Sequence, residues 1–430
     1  MARTKANLGS GARLADHVTV GYLALNCPLA RVREMLARCG AQSKRQRELP
    51  HEVLVYYLMC MCLYRRAAYE EVFALVVEGL RGVYKDQIGA KLVSKGAIST
   101  ARKQMGSAVF ELLYREQVRP LGVNGPNAMP GVFWRGLRVM ALDGSTMNLA
   151  DEAGNAARFG YPGGSRGQAA CPMLRFCALV ECGTGVLIGA QADGYATGEH
   201  TLAERVFASG VIDQSMLILA DRGFIGWALW QKAVATGAAI VCRARDNQQL
   251  PVIERLPDGS YLSEIYESQK ARRHGTGTRV RVIEYSVEGV PVAVVGPEAG
   301  APQRYRLITS LLDPLTAPAA ELAALYQRRW RIETAFAELK TQLAEGLALR
   351  SKTPGVGDAG VLRALNGPCR HSPLDERGGD PNRSGRRGLV VHPHGQRAQA
   401  TTPRTSGPSP QRRANAGLTA CSTKSPPSQA

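Results

Sequence analysis

The segment Tyr326–Lys340, YQRRWRIETAFAELK, spaces Tyr326, Arg329, Glu333 and Lys340 by three, four and seven residues. At about 100° per residue those steps nearly close whole helical turns, so the four fall within about 60° of one another and form one polar stripe. Leu325, Ile332, Phe336 and Leu339 lie on the adjoining sector. The spacing predicts a helix that buries its apolar side and presents a carboxylate flanked by cations along the edge of a site. Taken alone, the stripe is equally well a solvated charged face in which Arg329 and Glu333 pair at i, i+4.

Two other stretches shift that balance. An apolar β-type run in VMALDGSTMNL ends at Asp143, and a second, in MLILADRGF, ends at Asp221; Gly144 and Gly223 follow them closely. The pattern predicts a carboxylate at the C-terminal end of each of two buried strands, where open α/β sheets build their sites. Either Asp alone could merely cap a turn or a helix. Together with Glu333 they make a three-carboxylate set.

With LDGS, LADRGF and Y-x2-R-x3-E-x6-K in that order, the sequence resembles the insertion-element type 4 family of transposases, DDE enzymes with a ribonuclease-H-like catalytic domain. The likeness extends through LPHEVLVYYLMCMCLYRRAAYEEV, GEHTLAERV, LPDGSYLS and YRLITSLLDP to LRSKTP. The resemblance implies a cut-and-paste DNA transposase that cleaves at inverted-repeat ends and transfers strands into target DNA, with a hairpin intermediate compatible with it. It further implies that Asp143, Asp221 and Glu333 are catalytic and hold two Mg²⁺ ions, which Mn²⁺ can replace. Asp143 would bridge both ions, and Asp221 and Glu333 would each hold mainly one. Phosphodiester chemistry needs an activated oxygen nucleophile, a stabilised leaving 3′ oxygen and in-line geometry, and carboxylate-clamped divalent cations supply all three. Arg329 and Lys340 then offer positive charge to a phosphate, Tyr326 a hydrogen bond to the same backbone, and Trp330 a surface against the DNA channel. The implied partners are double-stranded DNA, both transposon ends and target, and a second copy in a homodimeric synaptic complex.

Composition agrees. The chain has 430 residues, 45% of them hydrophobic, enough for more than one core. Lys plus Arg number 54 against 36 Asp plus Glu, a net charge of +18 that suits a polyanionic partner. The apolar run Val53–Tyr64 is too short to span a bilayer. With no signal peptide, the expected place is the bacterial cytoplasm, at the nucleoid, away from membranes. The ten cysteines contain no C-x2-C pair, which argues against a disulfide framework or a zinc site.

Residues 1–125 read as helices, through PLARVREMLARCG, HEVLVYYLMCMCLY, YEEVFALVVEGL and a further helix over ARKQMGSAVFELLYREQV. A basic helical domain ahead of a catalytic core suits recognition of terminal repeats, with Lys44, Arg45, Arg47, Arg102 and Lys103 as candidate phosphate contacts. Residues 131–352 turn to α/β. Strands are expected at LRVMAL, MLRFCALVEC, VLIGAQA, MLILA and AAIVCRA, and helices at HTLAERVFA and GWALWQKAVA, in the order of a ribonuclease-H-like sheet. From about 245 to 313 the pattern becomes short strands, SYLSEIY, RVRVIEYSV, PVAVVG and YRLITSLL, which reads as a β insertion before the Glu333 helix; by resemblance, it contacts the transposon end. Trp227 and Trp230, a helical i, i+3 pair, could stack an extruded base or belong to the core. His200, beside Glu199 and Glu204, suits a cap or supporting role better than metal binding.

After SKTP the composition changes. Residues 353–430 contain no Phe, Tyr or Trp, are rich in Arg, Pro, Gly and Ser, and hold eleven Lys and Arg against four Asp and Glu. This predicts a disordered basic tail, in place of the apolar helices that follow the signature in the family, and suggests a frameshifted copy. Such a copy could bind DNA without productive cleavage. A general nuclease on the same fold is a weaker alternative, because the signature stripe points elsewhere.

Overall fold

The computed structural model describes residues 20–43, 49–64, 67–84, 93–125, 128–164, 167–287, 304–343 and 389–390. All of them lie within one compact unit, residues 1–393. The N-terminal part is helical: α1 (Val20–Asn26), α2 (Leu29–Arg38), α3 (His51–Leu63), α4 (Tyr69–Tyr84), α5 (Lys95–Met105) and α6 (Ala108–Gln117). In α3 every residue from Val53 to Cys60 is buried. A helix apolar on all sides must be surrounded, and α3 is the centre of this bundle. Its neighbour α4 buries only Val72, Phe73, Val76, Val77 and Leu80, a single stripe at helical spacing. No helix among the described residues is long and apolar enough to cross a membrane.

The helix expected over ARKQMGSAVFELLYREQV is two. Gly106 closes α5 at φ +71°, a left-handed value that favours glycine. Of the candidate phosphate contacts, Arg102 and Lys103 lie on α5, and Lys44, Arg45 and Arg47 lie outside the described residues.

The second part runs β1 (Phe133–Trp134), β2 (Leu137–Asn148), α7 (Ala153–Phe159), β3 (Gly163–Gly164), β4 (Gly167–Gln168), β5 (Met173–Glu181), β6 (Leu187–Gly194), α8 (Glu199–Phe207) and β7 (Met216–Ala220). It continues through α9 (Trp227–Val234), β8 (Ala239–Arg243), β9 (Glu254–Arg255), β10 (Tyr261–Ile265), α10 (Gln269–Arg273), β11 (Thr278–Val287) and β12 (Arg304–Thr309). The signature segment follows as α11 (Ala319–Tyr326) and α12 (Arg331–Ala337), and β13 (Leu389–Val390) is the last described element.

The main sheet has the order β6-β5-β2-β7-β8-β12-β11-β10-β9. An antiparallel β2-β5-β6 meander leads through α8 to β7, parallel to β2, and through α9 to β8, parallel to β7. This is the ribonuclease-H-like order. Both sheet faces are covered, so the strands are near-continuous apolar runs. Val139 and Ala141 pack on the face that holds Leu322, Ile332 and Phe336 of the signature segment, while Met140 and Leu142 pack on the face that holds α8 and α9.

The β insertion is not a separate sheet. Its last strand, β12, pairs with β8 through Ile308 and Cys242, so the insertion prolongs the central sheet. PVAVVG lies outside the described residues. So does the tail apart from Leu389 and Val390, which pair with Val287 and Ser286 of β11.

Candidate active site

Asp143 does not end its strand. The β2 strand continues to Asn148 because β5 keeps pairing with it as far as Asn148 and Met173. What stops is the parallel partner: β7 last pairs Ala220 with Leu142, so Asp143 and Asp221 are the next residues in register on adjacent strands. The sheet is open on one side of β2 from that level onward, and the two carboxylates stand where it opens.

The signature is not one straight helix either. After α11 the chain tightens into a 3₁₀ turn over Gln327–Trp330, resumes as α12, and widens into a π turn over Glu338–Leu343. Even so, Tyr326, Arg329 and Lys340 all contact β2 or β7. Tyr326 continues the buried sector of Leu322 and Leu325, and its hydroxyl donates to the Ala220 carbonyl at 3.1 Å. Its ring is buried and its hydroxyl occupied, which ties the signature to the last residue of β7 instead of presenting a donor to DNA. Arg329 is only 6% exposed. It donates to Asp143 Oδ2 at 3.3 Å and to Glu333 Oε1 at 2.9 Å, bridging two of the three carboxylates. Its Nε is buried without an acceptor among the described residues. Lys340 reaches back to β2 and donates to Ser145 Oγ. Trp330, by contrast, is 62% exposed, with the Arg329 guanidinium 5.4 Å from its ring centre.

Burial pushes the Asp143 carboxyl up to about 6; the Gly144 N–H at 2.8 Å and Arg329 oppose the shift, and the charges of Asp221 and Glu199 add to it. The same burial holds the Lys340 ammonium below the ordinary lysine value, with Asp143 acting against it. The acidic groups offer hard oxygen donors of the kind that Mg²⁺ and Mn²⁺ accept. In kind, then, the donor set fits a divalent cation. Among the described residues no three His, Cys, Asp or Glu stand close enough together to hold one as they are; Arg329 stands between Asp143 and Glu333.

Trp230 is buried in the core, and Trp227 spends its indole N–H on Thr278 Oγ1 at 3.1 Å. Trp230 is therefore a core residue, while Trp227 is only partly buried. His200 donates through Nε2 to the Gly223 carbonyl, inside the loop after Asp221, and its ring stacks on Phe224. Sequence reasoning missed the use of the LPDGS turn. Asp258 pairs with Arg281, which is fully buried, and accepts from the Ala319 N–H at 2.9 Å, the first residue of α11. Arg281 also donates to the Ala317 carbonyl at 2.6 Å. A turn of the insertion thus anchors the segment that carries Glu333. The only signal was an Asp-Gly pair ahead of a strand, which reads as an ordinary turn.

An open-edged ribonuclease-H-like sheet with two aspartates in register and a glutamate from a facing helix defines the class of DDE nucleic-acid recombinases. The family described as Transposase DDE domain matches residues 134–355, which include all three acidic positions, and the one described as Insertion element 4 transposase N-terminal matches residues 17–115. The chain belongs to the insertion-element 4 family of DDE transposases. It is 26% identical over 348 residues to the transposase InsG for insertion sequence element IS4 of Escherichia coli (strain K12), covering 77% of this chain and 73% of that one. A piggyBac transposase, in the cryo-EM structure of its synaptic complex with hairpin DNA, superposes with a TM-score of 0.38 at 10% identity, over 83% of this chain and 74% of that one.

Proposed function

We propose that this transposase moves an insertion sequence by cut and paste, nicking the 3′ end at each inverted repeat and joining the freed hydroxyl to target DNA. The observation that supports this most is the register that sets Asp143 beside Asp221, with Arg329 linking Asp143 to Glu333. Bound Mg²⁺ would activate the attacking oxygen and stabilise the leaving one. Asp143, Asp221 and Glu333 are the residues that would hold it. Tyr326 sets the height of the signature segment on β7. Arg329 balances the carboxylates' charge when the chain is free of metal. Lys340, which donates to Ser145, would meet a phosphate, and Trp330, which is exposed, would offer an aromatic face to the strand beside it. The helical part, 1–125, would bind the repeat ends, two copies would form the synaptic complex, and the protein would act at the nucleoid.

The test is cleavage of an end-containing duplex with Mg²⁺ by the Asp221→Ala chain. Cleavage is expected to vanish while end binding persists, since the basic surfaces supply affinity and the carboxylates supply chemistry. Substantial cleavage by that variant would overturn the triad.

A further inference from the structure

The first turn of α8, in GEHTLAERV, touches both aspartate motifs. The body of α8 packs under the sheet on the face opposite the signature segment, through Leu202, Ala203 and Val206. Its first residue reaches back to β2. A Cβ placed on Gly144 would stand 2.7 Å from Glu199 Cδ and 3.0 Å from its Oε1, so the Glu199 carboxyl fills the space that any side chain at 144 would need. Gly144 is not in the left-handed region. Its missing side chain, not its backbone freedom, is what the position uses.

Successive strand residues face opposite sides of a sheet. Asp143 turns to the signature segment and the gap at Gly144 opens to α8, at the level where β7 has already ended. Glu199 can therefore act on Asp143 across a sheet that is open there, and its charge is among those that bear on the Asp143 carboxyl. The neighbouring His200 fixes the same turn to the loop after Asp221 through the Gly223 carbonyl. Glu333 is engaged by Arg329. The Glu199 carboxyl makes no hydrogen bond or salt bridge with another described residue.

We propose that Glu199 is a fourth acidic residue of the active site, joining Asp143 in holding a divalent cation, and that Gly144 is the residue that admits it. The proposal rests on the metal-dependent reading above. Its test is Mn²⁺ binding by the full chain without DNA, followed by electron paramagnetic resonance, for the wild type and for Glu199→Gln, Gly144→Ala, the double variant and Asp143→Asn. Glu199→Gln is expected to weaken Mn²⁺ binding about tenfold. Gly144→Ala should do the same by displacing Glu199, and the double variant should bind no more weakly than either single one. Wild-type affinity in Glu199→Gln, with affinity lost in Asp143→Asn, would overturn the role of Glu199 and leave the metal reading standing. Additive losses in the double variant, or a Glu199→Gln chain that does not fold in EDTA, would overturn it too, since Gly144 or Glu199 would then act structurally. A wild-type chain that binds no Mn²⁺ would overturn both.

Discussion

Asp143 sits where its own charge opposes folding, and replacing it by Asn should make the metal-free protein more stable at neutral pH. Burial raises its pKa from 3.8 to about 6. The charged groups facing it are Arg329 on the signature segment, Asp221 after β7, Glu199 on α8 and Lys340 beyond α12. A folded-state pKa above the unfolded value means that folding is favoured by the protonated acid. The contribution is fully present below about pH 4, falls as pH rises towards 6, and stays lost above that. A shift of roughly two units corresponds to about 3 kcal/mol, already net of the Arg329 pairing. Asp143→Asn should therefore match the wild type at pH 4 and exceed it at pH 7.5 by up to about 3 kcal/mol, less whatever the weaker Asn–Arg329 contact forfeits. Urea unfolding in EDTA at pH 4, 5, 6 and 7.5 measures this directly. An Asn variant no more stable than the wild type at pH 7.5, or one whose stability keeps the wild-type pH dependence, would show that the carboxyl is not held out of water as its surroundings indicate.

Asp258→Ala leaves the fully buried Arg281 without its carboxylate and the Ala319 N–H without its acceptor, so about 3–5 kcal/mol of stability should be lost; a loss under about 1 kcal/mol in urea unfolding would refute the anchoring role. Lys340→Ala should weaken binding of pre-cleaved ends and reduce the slope of log affinity against log salt by about one, and an unchanged slope would return Lys340 to a purely intramolecular role on Ser145. Trp330→Ala, at an exposed position, should change stability by no more than about 0.5 kcal/mol while lowering affinity for ends; a large loss of stability with unchanged DNA affinity would refute the surface reading.

Much of the strand and helix pattern was legible along the chain, because apolar periodicity is a local property: VMAL, MLILA and AAIVCRA read as buried strands and are β2, β7 and β8. The three acidic residues stood out for the same reason, each beside a local signal. The stripe in YQRRWRIETAFAELK could be computed only for an ideal helix. The segment is in fact interrupted by a 3₁₀ turn and a π turn, Tyr326 and Arg329 are buried, and Trp330 is exposed. That Arg329 bridges Asp143 and Glu333, that Asp258 anchors Ala319, and that Glu199 occupies the empty place at Gly144 are contacts between residues 186, 61 and 55 positions apart or joined only through packing. Spacing along one element is written in the sequence, since the backbone repeat converts it into a face. Which β strand stops first, and what then reaches through the opening, depends on sheet register and on neighbouring elements, and only the tertiary structure decides it.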